Sequence, residues 1–255
     1  MAEGDSIRRI AERISAALAG SPVSARTPGR RRPEGRAASE LDDRTLQSAE
    51  SRGKHLLLRF EGGLVLHSHL GMRGSWDLYR RGERWRKPAP RAWIALTGDA
   101  VEAVNFDGSS LRLVRAAELA RDPRLARLGP DILDPAFTTA RGVEALRGAE
   151  LGAALGEALL DQSAIAGVGN IFKSEGCFAA ELDPWRRIDA LSDPELARAL
   201  EATRELMVDA VRSGRRPQRV YRRAGRPCPR CGGRINSRSQ GDDARRTYWC
   251  PRCQG

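Results

Sequence analysis

The sequence predicts an α+β protein whose first half is built mainly of strands and whose second half is helical. Several short segments in the first half alternate apolar and polar residues, as half-buried strands do. After about residue 116 the apolar residues recur at helical spacing instead. The last 28 residues contain two Cys-x-x-Cys pairs, a pattern typical of a metal-binding turn.

The chain is expected to open with an amphipathic helix over residues 6–19. Apolar side chains recur there at helical spacing, Asp5 or Ser6 can cap the start, and Gly20 follows the end. Residues 21–40 are rich in Pro, Gly and Arg, which predicts a loop or an irregular strand.

A hairpin and further strands follow this loop. The turn Glu61-Gly62-Gly63 separates two apolar runs, and a basic loop over residues 80–90 separates two later ones. The expected strands are residues 54–60, 64–69, 73–79, 91–97, 100–106 and 110–114.

The second half is expected to be helical. Its longest helix is opened by the capping signature Ser192-Asp193-Pro194-Glu195, and a short basic connector over 214–226 follows it. The expected helices are residues 117–121, 138–147, 151–161, 170–180 and 192–212.

Charge and composition narrow the class of partner. The net charge is +11 and the isoelectric point about 10.4, which favours a polyanion such as nucleic acid over a merely soluble basic surface. No apolar run approaches the length of a membrane span, and the N-terminus has no secretory signal pattern. Free thiols that bind metal fit a reducing cytoplasm, so we expect a cytoplasmic protein that is nucleoid-associated when bound to DNA.

The four C-terminal cysteines predict one Zn²⁺ site. Each pair occupies a tight turn, and 18 residues separate the pairs, so that two thiolates from each turn can complete a tetrahedron. Two disulfides are the alternative reading. Four thiolates leave no open coordination position, so the metal is expected to be structural. The ligands are Cys228, Cys231, Cys250 and Cys253.

Two further segments could carry chemistry. The turn Gly167-Val168-Gly169 precedes a helix that starts near Asn170, so backbone N–H groups could bind a phosphate there, although most such turns are only turns. Ala2 is small, which favours removal of Met1 and exposure of an α-amine. Roughly a fifth of such an amine is neutral at pH 7, against less than about 0.1% of an ordinary lysine, which suits a Schiff-base nucleophile.

Four separated motifs together resemble one family. They are Met1-Ala2-Glu3-Gly4-Asp5, Arg52-Gly53-Lys54-His55-Leu56-Leu57, the segment from Leu159-Leu160-Asp161-Gln162 through Gly169-Asn170, and Thr247-Tyr248-Trp249-Cys250-Pro251-Arg252-Cys253-Gln254. In this order they are similar to the formamidopyrimidine-DNA glycosylase/endonuclease VIII family of DNA repair enzymes. The Tyr248-Trp249 ending is closer to the endonuclease VIII branch.

The resemblance implies an architecture. It consists of an N-terminal β-sandwich with a leading helix, a helical domain with a helix–two-turn–helix motif, and a C-terminal zinc-finger β-hairpin. The corresponding segments are a catalytic domain at 1–115, a hinge at 116–135, a DNA-binding domain at 136–218 and a zinc finger at 219–255.

The resemblance also implies an activity and its residues. Family members extrude a damaged nucleotide, release its base with an N-terminal amine and nick the strand by β,δ-elimination. Ala2 occupies the position of the nucleophile, Glu3 that of the carboxyl that moves protons on the sugar, and Lys54 that of a phosphate-contacting catalytic lysine. The DNA contacts would be Met72 as a wedge, Arg127, Asn170 and the finger arginine Arg245, which also counts among the catalytic residues; the neighbouring Arg246 is its alternative. The resemblance gives no catalytic role to His55, His67 and His69, expected in strands, or to Cys177, expected as a buried small hydrophobe.

The sequence departs from the family at residue 2. The family almost always has proline there, and a proline amine condenses directly to a charged iminium, whereas Ala2 gives an imine that must first gain a proton. We therefore expect lyase activity at abasic sites with weakened base excision. The alternatives are an abasic-site lyase only, a non-catalytic damaged-DNA-binding member, or a zinc-ribbon protein of transcription or translation.

The same family resemblance gives an expected substrate and an expected partner. The connector from Ser213 to Tyr221 is too short for the loop with which the purine-specific branch caps oxidised guanine, so oxidised pyrimidines or abasic sites are favoured. The expected partner is double-stranded DNA containing damaged bases or abasic sites, bound by a monomer.

Overall fold

The chain divides into two units, Met1–Ala126 and Arg127–Gly255. They are seen in a computed structural model that describes residues 2–29, 37–149, 152–241 and 244–255. Part of the predicted 21–40 loop, residues 30–36, therefore lies outside the described residues. The finer division at 1–115, 116–135, 136–218 and 219–255 stays a prediction.

The first unit contains the expected strands and two strands without a clear sequence signal. Its helices are α1 (Gly4–Leu18), α2 (Ala37–Leu41), α3 (Ala116–Leu119) and α4 (Pro123–Ala126). Its strands are β1 (Pro22–Arg26), β2 (Arg44–Arg52), β3 (His55–Phe60), β4 (Leu64–His69), β5 (Ser75–Arg80), β6 (Ala92–Thr97), β7 (Val101–Phe106) and β8 (Ser110–Arg115). The sequence does not predict β2, because Leu46 is the one fully buried side chain of a strand that is otherwise polar.

The strands form a β-sandwich. They are hydrogen-bonded in the order β5-β7-β6-β1-β2-β3-β4-β8, and only Pro22↔Thr45 and Val23↔Arg44 pair β1 with β2. The series separates at this short junction into two four-stranded sheets. One core takes apolar side chains from both sheets and from α1, among them Ile7, Ile14, Leu56, Leu58, Ile94 and Leu96. The expected sandwich with a leading helix is confirmed.

The leading helix begins two residues earlier than the spacing predicts. Glu3 is its N-cap residue, and the Glu3 N–H donates to the Ser6 hydroxyl at 3.1 Å. The Ser6 hydroxyl donates back to the Glu3 carbonyl at 2.9 Å. Ser6 therefore lies in the first turn, and the prediction that Asp5 or Ser6 would be the cap is wrong.

The second unit is helical and ends in a hairpin. Its helices are α5 (Thr139–Arg147), α6 (Leu155–Ala158), α7 (Asn170–Ala179), α8 (Asp193–Ser213) and α9 (Pro251–Gln254), and its strands are β9 (Asn236–Gln240) and β10 (Arg245–Trp249). The capping signature of α8 is confirmed, since the Ser192 amide and hydroxyl donate to a Glu195 carboxylate oxygen at 2.8 and 2.9 Å.

The helix expected at 151–161 is much shorter in the structure. The N–H groups of Leu155 and Gly156 donate to the carbonyls of Arg186 and Pro184, so α6 begins where distant backbone accepts its first amides. No helix within the described residues has both the length and the apolarity that crossing a lipid bilayer would take.

Candidate nucleic-acid interface and metal centre

The first turn of α1 holds the N-terminal candidates in place. Ala2 is half-buried against the sandwich core, and the Glu3 residue is 1% exposed. The Glu3 backbone is held by the Ser6 hydrogen bonds described above. The helix α1, which directly follows these two residues, packs on β2 and β3, the strands whose hairpin carries Lys54.

Lys54 occupies the tip of the β2–β3 hairpin. Arg52 pairs with His55, so Gly53 and Lys54 form a two-residue turn. Gly53 has φ of 58°, which a type II′ turn requires at its first central position and which favours glycine. The turn therefore presents the Lys54 side chain at the end of a rigid ladder.

Three histidines lie beside this turn, in β3 and β4 as the sequence predicts. His55 Nδ1 is 2.9 Å from His67 Nε2, and the ring centroid of His55 is 4.9 Å from that of His69. Burial lowers the pKa of His55 to about 3 and that of His67 to about 4. Burial and then the Lys54 charge also lower the pKa of His69. His55 and His67 are therefore neutral above about pH 5.

Hydrogen-bond donors define the tautomer of His69. Its Nδ1 is 2.9 Å from the Ser109 hydroxyl, and that hydroxyl donates its single hydrogen to the His69 carbonyl at 3.0 Å. His69 Nδ1 must therefore carry the hydrogen that joins it to Ser109. The neutral ring then has an unprotonated Nε2, a hydrogen-bond acceptor in the neighbourhood of the Lys54 ammonium. The sequence reveals this cluster only once the β3–β4 register is known.

The buried histidines predict a loss of stability in mild acid. The folded state resists protonation of His55 and His67, whereas the unfolded chain takes up protons below about pH 6.5. Stability should therefore fall from pH 6.5 downward and stop falling below the folded pKa values. One such histidine costs about 2 kcal/mol between pH 6.5 and 5.

Urea unfolding at pH 7.5, 6.5, 5.8 and 5.0 measures this loss. The His67→Gln variant should lose less stability over the same interval, by about 2 kcal/mol. The charged groups around the cluster are Asp122, Arg112, Arg124 and Lys54. An unchanged pH dependence in His67→Gln would contradict the assignment.

Met72 stands out on the surface of the first unit. Its side chain is 60% exposed, the one large hydrophobic side chain that is exposed among the described residues. It lies in the β4–β5 turn, directly after Gly71, whose φ is 61°. An exposed apolar side chain at a turn tip has the chemistry of a wedge that enters a base stack.

In the second unit the turn before α7 is held by one amide side chain. Gln162 Nε2 donates to the carbonyls of Leu160 and Val168 at 2.8 and 3.0 Å, and Gln162 Oε1 accepts from the Gly167 N–H at 3.1 Å. Gly167 has φ of 98°, a conformation that glycine adopts without strain. The predicted Gly-x-Gly turn is therefore preorganised at the N-terminus of α7.

The polar face of α7 carries the zinc hairpin. Asn170 Nδ2 donates to the Arg246 carbonyl at 2.9 Å, and the fully buried Lys173 Nζ donates to the Thr247 hydroxyl at 2.6 Å. The Thr247 hydroxyl in turn donates a hydrogen bond to Gln240 Oε1 at 2.6 Å. These contacts place Asn170 beside β10, which carries Arg245.

Glu175, also fully buried on α7, binds the connector that follows α8. Its carboxylate accepts the backbone N–H groups of Arg219, Val220 and Tyr221 at 3.0, 2.9 and 2.7 Å. Sequence reasoning assigned no role to Glu175, since it looks like an ordinary charged helix residue. Cys177 on the same helix is fully buried, as expected, and burial raises the pKa of its thiol to about 12.

The register of β10 distinguishes the two candidate arginines. Arg245 shares a strand face with Thr247, whose side chain meets Lys173 on α7, because alternate residues point to the same side. Arg245 is half-buried, whereas Arg246 faces the other way and is exposed. Arg127 is exposed at the start of the second unit.

The four cysteines form one cluster with the geometry of a metal site. Their Sγ atoms lie within 4.8 Å of one another, with Cys228 and Cys253 separated by 3.8 Å and Cys231 and Cys250 by 3.5 Å. A tetrahedron with Zn–S bonds of about 2.3 Å has edges of about 3.8 Å, so the donors fit Zn²⁺. All five cysteines are free thiols, which excludes the disulfide alternative in this structure.

Family models cover nearly all of the chain. The formamidopyrimidine-DNA glycosylase N-terminal domain matches residues 1–121, and the helix–two-turn–helix domain of the same glycosylase matches residues 128–221. The zinc finger found in that glycosylase and in isoleucyl-tRNA synthetase matches residues 225–255. The chain belongs to the formamidopyrimidine-DNA glycosylase/endonuclease VIII family. The zinc site predicted from the cysteine spacing agrees with the third match.

Relatives that align over the whole of this chain are named as an endonuclease 8 or as an abasic-site lyase. A probable endonuclease 8 of Streptomyces coelicolor is 41% identical and aligns over 100% of this chain and 94% of its own. A DNA-(apurinic or apyrimidinic site) lyase of Mycolicibacterium smegmatis is 34% identical over 100% of this chain and 99% of its own.

A solved structure confirms the fold. The formamidopyrimidine-DNA glycosylase of Lactococcus lactis, in complex with DNA containing an abasic site, superposes with a TM-score of 0.85 over 99% of each chain. Its sequence identity is 21%. The expected endonuclease VIII relationship rests on the full-length relatives rather than on this likeness.

Proposed function

We propose that this chain is a bifunctional DNA glycosylase and abasic-site lyase of base-excision repair. The observation that carries the proposal is the N-terminus of α1, where residue 2 is held half-buried and is followed by a fully buried glutamate, in a chain matched along its length by this family. An amine nucleophile needs its position held, and the Ser6 hydrogen bonds supply that.

The chemistry begins with the α-amine that removal of Met1 exposes on Ala2. This amine attacks C1′ of an extruded sugar, and the bond to the base breaks, so that the base leaves with the electron pair and takes up the proton that the amine loses. The C1′–O4′ bond then breaks as the ring opens, O4′ takes up a proton, and the nitrogen gives up its remaining proton to form a C1′=N imine. The resulting imine gains a proton and becomes an electron sink. Loss of a C2′ proton then expels the 3′ phosphate, and a second elimination expels the 5′ phosphate. Glu3 moves protons on the opened sugar, and Lys54 binds the target phosphate.

The proposed DNA contacts are of two kinds: polar side chains that bind phosphates, and one apolar side chain that fills the base stack. Arg127, Asn170 and Arg245 bind phosphates, and Met72 fills the gap that the extruded base leaves. One amide hydrogen of Asn170 is used by the Arg246 carbonyl, which leaves the other for a phosphate oxygen. The strand face shared with Thr247 supports Arg245 over Arg246.

The zinc ion has a structural role in this proposal. Four thiolates complete its coordination, so it offers no position to substrate. It joins the turns around Cys228 and Cys250, which pack with Phe178, Val220 and Ile235. The metal therefore supports the hairpin that carries Arg245.

Oxidised pyrimidines and abasic sites are the proposed substrates. α8 ends at Ser213, and Glu175 binds the backbone of residues 219–221, so little free chain is left to cap an oxidised guanine. The alternative, a non-catalytic damaged-DNA-binding protein, is favoured by one observation, alanine in place of proline at residue 2.

A nicking assay on duplexes that carry an abasic site, an oxidised pyrimidine or an oxidised purine tests these proposals. We expect strand scission to be fastest at the abasic site, slower at the pyrimidine and slowest at the purine. Binding to all three without scission would support the non-catalytic alternative. Preferred excision of the purine would overturn the substrate assignment.

A further inference from the structure

The loop between β5 and β6 carries a concentration of positive charge that the proposed chemistry does not use. Residues 80–91 contain six basic side chains and one acid, Glu83. Five of the basic residues are exposed arginines. They are Arg80, Arg81, Arg84, Arg86 and Arg91.

Trp85 anchors this loop to the sandwich. Its Nε1 donates to Glu102 Oε2 at 2.6 Å, and its ring meets Phe106 edge-on at 5.7 Å between centroids. Arg26 lies over the Trp85 ring at 4.9 Å and pairs with the other Glu102 oxygen at 2.7 Å. Glu102 is 5% exposed, so this anchor is part of the folded core rather than a surface contact.

Lys87 is a second inward anchor, two residues further along. Its ammonium pairs with Asp77 at 3.2 Å and lies 5.3 Å from the Phe106 ring centroid. Arg84 and Arg86 are exposed on either side of Trp85, and the Arg86 guanidinium lies over the Tyr79 ring at 5.6 Å. The two anchors therefore hold the backbone that carries these exposed arginines.

The acids near the loop offset only part of its outward charge, since Asp77 and Glu83 act electrostatically on Arg86. Asp77 forms an ion pair with Lys87, and Asp107 forms one with Arg91. Glu102 accepts the hydrogen bond from Trp85. Within the described ranges, no carboxylate forms an ion pair with Arg81 or Arg84. Like charges held together on a fixed backbone repel one another, and a polyanion relieves that repulsion.

We propose that the 80–91 loop binds the phosphate backbone of duplex DNA, in addition to the contacts assigned to Arg127, Asn170 and Arg245. The inference rests on the proposed function, since that supplies DNA as the polyanion. Arginine forks match phosphate oxygens, and each strand presents one phosphate per about 3.4 Å of helix axis, so successive phosphates can meet Arg81, Arg84 and Arg86. Contacts of this kind add affinity without sequence preference.

Salt dependence of binding measures the contribution of the loop. A triple variant, Arg81→Ala, Arg84→Ala and Arg86→Ala, is compared with the matched Lys triple on undamaged and abasic duplexes from 50 to 300 mM KCl. The slope of log Kobs against log [KCl] should become shallower by about 2 to 3 in the Ala triple, because each lost phosphate contact removes about 0.9. The Lys triple should keep the wild-type slope, since lysine retains the charge. The rate of nicking at saturating enzyme should stay the same in both.

The possible results distinguish failure of the loop inference from failure of the proposed function. If wild type binds duplex and the Ala triple shows the same slope and affinity, the loop is an ordinary solvated surface and the inference is overturned alone. If wild type fails to bind any duplex, the inference and the proposed function both fall. If the Lys triple loses the slope as fully as the Ala triple, charge is not the cause, and the inference is also overturned.

Discussion

Borohydride reduction of the protein mixed with abasic-site DNA is expected to give a covalent adduct on Ala2. A primary amine and the ring-opened sugar form an imine, and reduction converts that imine to a stable secondary amine. Tandem mass spectrometry of the N-terminal peptide should place the sugar on residue 2. Intact mass of the free protein must first show that Met1 is absent, because a retained Met1 acylates the Ala2 nitrogen.

Two variants of residue 2 test the role of its amine: one changes the type of amine, and the other blocks it. Ala2→Pro should raise base excision by about tenfold or more, equivalent to about 1.4 kcal/mol of barrier, because a secondary amine is the stronger nucleophile in the step that displaces the base. Cleavage at abasic sites should change less, since no base has to leave. Ala2→Leu places a large residue after Met1, which should retain the methionine and abolish the adduct.

The absence of any adduct on the Met1-free protein, at every pH and salt tried, would end the nucleophile assignment. An adduct on Lys54 instead would move the chemistry to the hairpin. Equal base excision by wild type and Ala2→Pro would show that the nucleophilicity of the residue 2 amine does not limit base departure.

Removal of zinc is expected to unfold the β9–β10 hairpin and weaken DNA binding. Structural zinc contributes about 10–16 kcal/mol in small domains, more than the small apolar cluster around Phe178, Val220 and Ile235 can replace. The buried Lys173 would lose its Thr247 acceptor as the hairpin leaves. Affinity for abasic duplex should fall by about tenfold or more, since hydrogen bonds to charged groups contribute about 1.5–3 kcal/mol each.

Metal content and tryptophan fluorescence follow this unfolding together. The Trp185 and Trp249 rings meet edge-on at 5.4 Å, so a chelator that releases the hairpin should change their emission in step with zinc release. Cys228→Ser should lose the ion, whereas Cys177→Ala, which removes a buried thiol outside the cluster, should keep one zinc per chain. A Cys228→Ser protein with full zinc content and an unchanged hairpin would refute the ligand assignment.

Features encoded by neighbouring residues could be predicted from the sequence. The cysteine spacing identifies the metal ligands, because a tight turn brings its two thiolates together whatever the rest of the chain does. The β3–β4 hairpin and the α8 cap follow from turn and capping residues that act within four positions. The resemblance of four motifs added the architecture and the candidate site residues, including Ala2, Lys54 and Asn170.

Features that depend on distant partners could not be predicted in this way. β2 is a strand because β1 and β3 accept its backbone, although its own side chains are mostly polar. α6 begins where the carbonyls of Pro184 and Arg186 take its amides, and the histidine cluster exists only in the observed β3–β4 register.

The sequence by itself therefore determined the family, the four-cysteine cluster and the candidate residues of the site. The tertiary structure decided how those residues are held: Glu175 against the connector, Asn170 against β10, and Arg245 rather than Arg246 on the strand face toward α7. It also decided that Trp85 holds an arginine loop outward. The physical reason is the sequence separation of the interacting residues. Turns and Cys-x-x-Cys metal knuckles depend on residues that are close in the chain, whereas buried hydrogen bonds join residues that only folding brings together.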